Sequence, residues 1–125
     1  KLVGTDLYIH TLLHTFAPYD IEQLKAMRDR LYVLGVFFNV PDRIAKIEND
    51  KQLTLAPGFW DDNVRATAIL KDIKVNKFWV DLYEQVQSAI EDSGVLNDFQ
   101  KEGEATEEEV LEAYNKALAA LDELE

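Results

Sequence analysis

Ala56-Pro57-Gly58-Phe59-Trp60-Asp61-Asp62 separates two helical patterns, and the layout of the chain follows from how this stretch is read. Pro57-Gly58 is a turn pair, because proline presets φ and glycine accepts a positive φ. Asp61 or Asp62 stands directly before an apolar repeat through Val64, Ala68, Ile69 and Ile73, with Arg65, Lys71 and Lys74 on the wet side. Either carboxylate can cap that helix by accepting a backbone N–H, and both suit the positive end of its macrodipole. Phe59 and Trp60 are expected to plug the junction between helices, since each large ring removes much apolar area from water. A partner-binding hot spot is the alternative reading of the two rings.

Upstream of the turn, Asp20 has the form of an N-cap. Ile21, Leu24, Met27, Leu31, Leu34 and Phe38 follow it at steps of three and four, the spacing of an amphipathic helix. Gly35, Asn39 and Pro41 are expected to end that helix. Pro41 then suits the first turn of the next, whose apolar face is Ile44, Ile47 and Leu53. The pair is expected to form a helical hairpin. Val33 to Val40 reads as the apolar end of a helix rather than a strand. Before Asp20, residues Leu2, Leu7, Ile9, Leu12, Leu13 and Phe16 mark a further helix stopped ahead of Pro18. Residues 1–19 are read as an N-terminal extension and 20–125 as one domain.

Downstream, Phe78 or Trp79, Leu82, Tyr83, Val86 and Ile90 form a second apolar stripe with no proline before it. This predicts one long helix to about Asp92, with a phase change near Val75-Asn76. Gly94 is expected to end it, followed by a short helical turn through Val95, Leu96 and Phe99, with Gly103 as the next separator. Thr106 and Glu109 have capping-box spacing ahead of Val110, Tyr114, Ala117 or Leu118, Leu121 and Leu124. No segment alternates as a half-buried strand does. The fold class is all-α: an elongated, coiled-coil-like antiparallel bundle of three to four main helices.

A chain of 125 residues buries roughly two-thirds of its unfolded surface on folding, enough for one core without staples. Apolar residues make up 47% and charged residues 30%, which excludes a disordered segment, and no apolar run approaches the ~20 residues of a bilayer span. Asp6, His10 and His14 break the apolar start, so it is a poor signal peptide. There is no cysteine, which excludes disulfides and thiolate metal sites and leaves the cytoplasm as the default compartment. The net charge of −11 is uneven: residues 1–80 carry 11 basic and 10 acidic side chains, residues 81–125 carry 2 and 14. Such an acidic C-terminal third repels phosphate and disfavours direct contact with nucleic acid. Glu107, Glu108 and Glu112 form an acidic face suited to a basic partner, or simply to solvent.

No chemistry emerges from the residues. His10 and His14 share a helix face, but Thr11 stands where the HExxH pattern needs glutamate, and no third ligand is evident. Ser88 and Ser93 lie outside any nucleophile-elbow motif, and the five glycines are isolated, so no phosphate-binding loop is present. Neither a catalytic residue nor a metal or cofactor site is expected, and the chain is read as not an enzyme.

The spacing of Ile21-Glu22-Gln23-Leu24-Lys25, Arg30, Leu34, Phe38-Asn39, Ala56 to Asp62, Arg65-Ala66 and Leu70-Lys71 resembles the N-terminal domain of bacterial type 2 peptide chain release factors. The resemblance covers about residues 20–125. Pro57, Gly58, Phe59, Trp60, Asp61 and Asp62 are its markers, and the glutamates near Glu107-Glu108-Glu109 are also like the family. Lys1 to Tyr19 departs from it, as family members usually begin near the counterpart of Asp20. The resemblance implies a helical module, without cofactor, that helps dock the factor on the ribosome near the large-subunit stalk base, in contact with stalk-base proteins and the factor's other domains. The family's Ser-Pro-Phe and Gly-Gly-Gln motifs, which read the stop codon and promote peptidyl-tRNA hydrolysis, do not occur here. A stand-alone helical interaction or regulatory domain is the rival reading.

Overall fold

Asn39, with φ 55° and ψ 43°, is the one non-glycine residue in the left-handed region among those described, and it breaks what would otherwise be a continuous helix. The computed structural model describes residues 21–125; the expected Asp20 cap and the helix read over Leu2–Phe16 lie outside them. Helix α1 (Ile21–Phe37) ends two residues before Asn39, and α2 (Val40–Thr54) begins directly after it with Pro41 in its first turn. A short 3-10 turn (Phe59–Asp61) leads into α3 (Asn63–Lys101), and α4 (Glu107–Leu124) completes the described chain. No strand occurs among the described residues, and the all-α bundle is the observed class.

The 39 residues of α3 extend about 58 Å and template the rest. Along it, Ala66, Ile69, Ile73, Asn76, Val80, Tyr83, Gln87, Ile90, Gly94 and Asn97 recur at steps of three and four, and each is buried or half-buried. This seven-residue repeat is a seam for an antiparallel partner. α1 and α2 fill it in succession: Arg28 lies over Gly94, Gly35 over Tyr83, Arg43 over Asn76, and Ile47 packs with Val80 and Ile73. The hairpin expected of α1 and α2 therefore does not form. They run end to end along α3, because α3 offers each a longer apolar seam than they offer one another.

A second seam, Leu82, Val86, Ala89, Ser93, Leu96 and Gln100, starts only in the C-terminal part of α3 and faces α4. What sequence periodicity registers as a phase change near Asn76 is this added seam, not a break. The main core lies where both seams are occupied: Leu24, Met27 and Leu31 of α1 meet Val86 and Ile90 of α3 and Ala117, Leu121 and Leu124 of α4. Each of these side chains except that of Ala117 contributes roughly 1.5–3 kcal/mol by leaving water. Arg30 ties α1 to the end of α4, donating from Nη2 to Asp122 at 2.7 Å and from Nε to Glu125 at 2.9 Å. Its hydrogen bonding to Glu125 holds that carboxyl below its ordinary range.

The joint between α1 and α2 is closed by polar and aromatic contacts. Arg43 Nε donates to the Phe38 carbonyl at 2.8 Å and Nη1 to Asn76 Oδ1 at 2.8 Å, while its guanidinium lies 6.0 Å over the Trp79 ring. Phe38 stacks on Trp79 at 5.4 Å between centroids. One arginine thus satisfies a carbonyl freed by the break and anchors the joint to α3. Of the alternatives at 78 and 79, Trp79 is the half-buried residue and Phe78 is exposed.

Gly94 does not end α3. It is buried in mid-helix, where a Cβ would come 2.7 Å from the end of the Arg28 side chain; the glycine marks a close approach of α1. The helix ends at Gly103, φ 79°, where Gly103 N–H donates to the Gln100 carbonyl at 3.0 Å and Glu104 N–H to Phe99 at 2.8 Å. This is the paired closure of a Schellman cap. The Thr106–Glu109 capping box forms as expected.

These two glycines separate experimentally. Gly94→Ala is expected to stabilise the fold by about 0.5–1 kcal/mol, because alanine suits a helix interior and the flexible Arg28 end can move aside. Gly103→Ala is expected to destabilise it by about 1–2 kcal/mol, since a Cβ is strained at positive φ. Urea denaturation of both variants measures the two signs.

Candidate functional site

The Pro57–Asp62 turn joins α2 to α3, and each of its residues has a distinct physical role. Gly58 takes φ 79° and opens the 3-10 turn. Phe59 is 2% exposed, whereas Trp60 is 63% exposed; their rings meet edge-to-face at 4.9 Å. The Arg65 guanidinium lies 5.9 Å over the Phe59 ring, adding a cation–π contact. Asp62 is the N-cap of α3, its Oδ1 accepting from Arg65 N–H at 3.0 Å; Asp61 is exposed within the 3-10 turn. Of the two rings expected to plug the junction, only Phe59 does so. Trp60 points outward because the 3-10 turn places successive side chains on different sides. The α3 stripe also shifts from the expected set: Ala66 is buried while Val64 and Ala68 are exposed.

Trp60 shares the end of the molecule with Leu55 and Val64, both largely exposed, so the turn presents an apolar tip. The acidic face lies elsewhere. Glu107 and Glu108 occupy the first turn of α4 and, with Glu112, are exposed. Most of the length of α3 separates them from Trp60. The structure thus brings the six turn residues together and keeps the three glutamates apart from them. Glu107 and Glu108 also have a local role, since carboxylates favour a helix N-terminus.

A groove of about 440 Å³ lies where the α1–α2 joint faces α3, lined by Tyr32, Val36, Asn39, Ile44, Tyr83 and Gln87 among others. Burial raises the Tyr83 hydroxyl above its ordinary pKa. Sequence reading missed this groove. Tyr32 and Val36 are visible as apolar residues off the main stripe, but periodicity does not reveal which second face of a helix is left without a neighbour. Among the described residues, no group of three or more His, Cys, Asp or Glu is placed to hold a metal ion; His10 and His14 lie outside them. Ser88 is exposed, and Ser93 Oγ is sealed in the α3 interface with no partner among the described residues. No described helix is long and apolar enough to cross a membrane. Comparisons with protein-family models, curated proteins and solved structures find no match for the chain.

The turn makes an asymmetric prediction. Phe59→Ala is expected to cost about 3–5 kcal/mol, as truncation of a buried ring leaves a cavity. Trp60→Ala is expected to change stability by less than about 0.5 kcal/mol, the usual effect of a surface substitution. Thermal denaturation compared with the parent chain separates the two.

Proposed function

We propose that this chain is the N-terminal domain of a type 2 peptide chain release factor, and that it helps position the factor on the ribosome near the large-subunit stalk base. The observation that carries this reading is the Phe59-Trp60-Asp61-Asp62 turn at its fixed spacing from Ile21 and from Arg65-Ala66. Physical roles attach to several of the same positions: Phe59 and Ala66 are buried, Asp62 caps α3, and Arg65 covers Phe59. Such a domain, without cofactor, contributes geometry and contact rather than chemistry. Its long α3 and short antiparallel neighbours suit a rigid spacer.

The acidic surface of α4 supports a protein partner rather than RNA. Glu107, Glu108 and Glu112 face solvent, and complementary charge on a basic ribosomal protein would speed encounter and fix orientation, with an effect that fades as salt rises. A stand-alone interaction domain in the cytoplasm is the second reading, favoured by the exposed apolar tip at Leu55, Trp60 and Val64. The reading frame of the gene beyond Glu125 separates the two: codons for Ser-Pro-Phe and Gly-Gly-Gln support the release factor, and a stop codon supports the rival.

The experiment uses ribosomes halted at a stop codon. Deleting this domain from the full factor is expected to weaken ribosome binding or slow peptide release. Replacing Glu107, Glu108 and Glu112 together by lysine is expected to weaken binding by about tenfold at low salt, with the difference shrinking at high salt. Unchanged binding and release on deletion would end the docking role.

A further inference from the structure

The shorter seam of α3 is buried from Leu82 onward, but its row of positions extends beyond the part that α4 covers. From Leu82 toward the turn the row runs through Phe78, Val75, Lys71, Ala68 and Val64 at steps of three and four, which keeps these side chains on the side of the helix that carries Val86 and Ala89. Leu124 of α4 lines the same depression as Leu82. Past that level the row is open: Phe78 is 59%, Val75 48% and Val64 83% exposed. α2 packs instead on Ile73 and Val80, along the longer seam. From Val64 to Phe78 the open row is about 21 Å long, or about four helical turns.

We propose that this open row is a docking surface for an acidic amphipathic helix of another protein, laid antiparallel to α3 and in line with α4. Continuity and charge select this occupant. The row carries on the register of an interface that a helix already fills, and the longer seam of α3 is itself covered by two helices placed end to end. Lys71 in the row and Lys74 on its edge are exposed, and neither has an ion-pair partner among the described residues; Asp81 on that edge is paired with Lys77 at 3.1 Å. A lysine in a seam lays its stem along apolar surface and brings its ammonium to the rim. There a partner's carboxylates meet two free cations, which fixes the register of the pair. On the opposite edge Asp72 is exposed and disfavours a carboxylate. The same charges argue against a second copy, because pairing two such rows about their midpoint sets Lys74 against Lys74. The acidic helix that a second copy offers, α4, already has its apolar stripe of Val110, Ala117, Leu121 and Leu124 buried. The inference concerns a different surface from the acidic face of α4 and is independent of the release-factor reading.

Titration of the isotope-labelled full chain with a synthetic helical peptide tests it, the peptide having leucine at a and d, glutamate on the flank that meets Lys74 and glutamine on the other. Amide shift changes are expected to concentrate between Val64 and Leu82. A peptide with lysine in place of the glutamates is expected to bind about tenfold more weakly at low salt, the gap closing as salt rises. Lys71→Glu combined with Lys74→Glu is expected to reverse the preference between the two peptides. Val75→Asp, at an exposed site, is expected to weaken binding of the glutamate peptide by about tenfold or more, while amides from Val86 to Ile90 stay protected from exchange. No binding of the glutamate peptide, or equal affinity for both peptides, would overturn the proposal. Shift changes at Tyr32 and Val36 in place of the row would overturn it by moving the docking surface to the groove at the α1–α2 joint. Sedimentation equilibrium that shows the chain alone as a dimer, made monomeric by Val75→Asp, would overturn it in favour of a second copy.

Discussion

The structure depends on one constraint: α3 carries two apolar seams of unequal length, and both must be covered. The longer runs from Ala66 to Asn97 and the shorter from Leu82 to Gln100. α1 and α2 together match the length of the first, and α4 matches the second. Burial of these seams is the dominant favourable term, and it is shared between helices that have little to offer one another. The asymmetry sets the shape of the molecule. Where both seams are present the cross-section is three helices around Ile90 and Leu121; toward the turn it is only two, with Val40 and Ile47 on Val80. Phe38 and Tyr83 pack against both clusters and bridge them.

Much of this was legible in the residues, and the failures share a cause. The start of α3 at Asp62, the capping box at Thr106 and the stripe from Val110 to Leu124 are local patterns, set by backbone amides and helix spacing, and they appear as read. The expected hairpin of α1 and α2 and the expected helix end at Gly94 are not local matters. Asn39 and Pro41 do mark a break, but whether the chain then reverses depends on the seam that α3 provides. Gly94 has the composition of a terminator, yet its missing Cβ makes room for Arg28 on a neighbouring helix. Gly103, with nothing packed against it and φ 79°, is the glycine that ends the helix. A single sequence does not distinguish a glycine required by its own backbone from one that lies in mid-helix against another element.

The turn shows the same division between local and tertiary causes. Asp62 was readable as a cap because its role involves its own helix. Phe59 and Trp60 were not separable, because adjacent aromatic residues carry equal apolar weight and only the 3-10 geometry assigns one to the core and the other to solvent. The outcome concentrates structural function in Phe59, Asp62, Arg65 and Ala66 and leaves Leu55, Trp60 and Val64 as a surface. Together with the glutamates of α4 at the far end of α3, this gives the molecule two chemically different extremities, one apolar and one acidic.

The continuity of α3 through Gly94 underlies the whole account, since a helix ending there would lose the place where α1 crosses and the upper part of the α4 seam. Native-state amide hydrogen exchange resolved over Asp92 to Asp98 tests it most directly. The account predicts that these amides are protected to the same free energy as those of Val86 to Ile90, as one cooperative unit. Exchange of Val95 to Asn97 at unfolded-chain rates, with Val86 to Ile90 still protected, would contradict it.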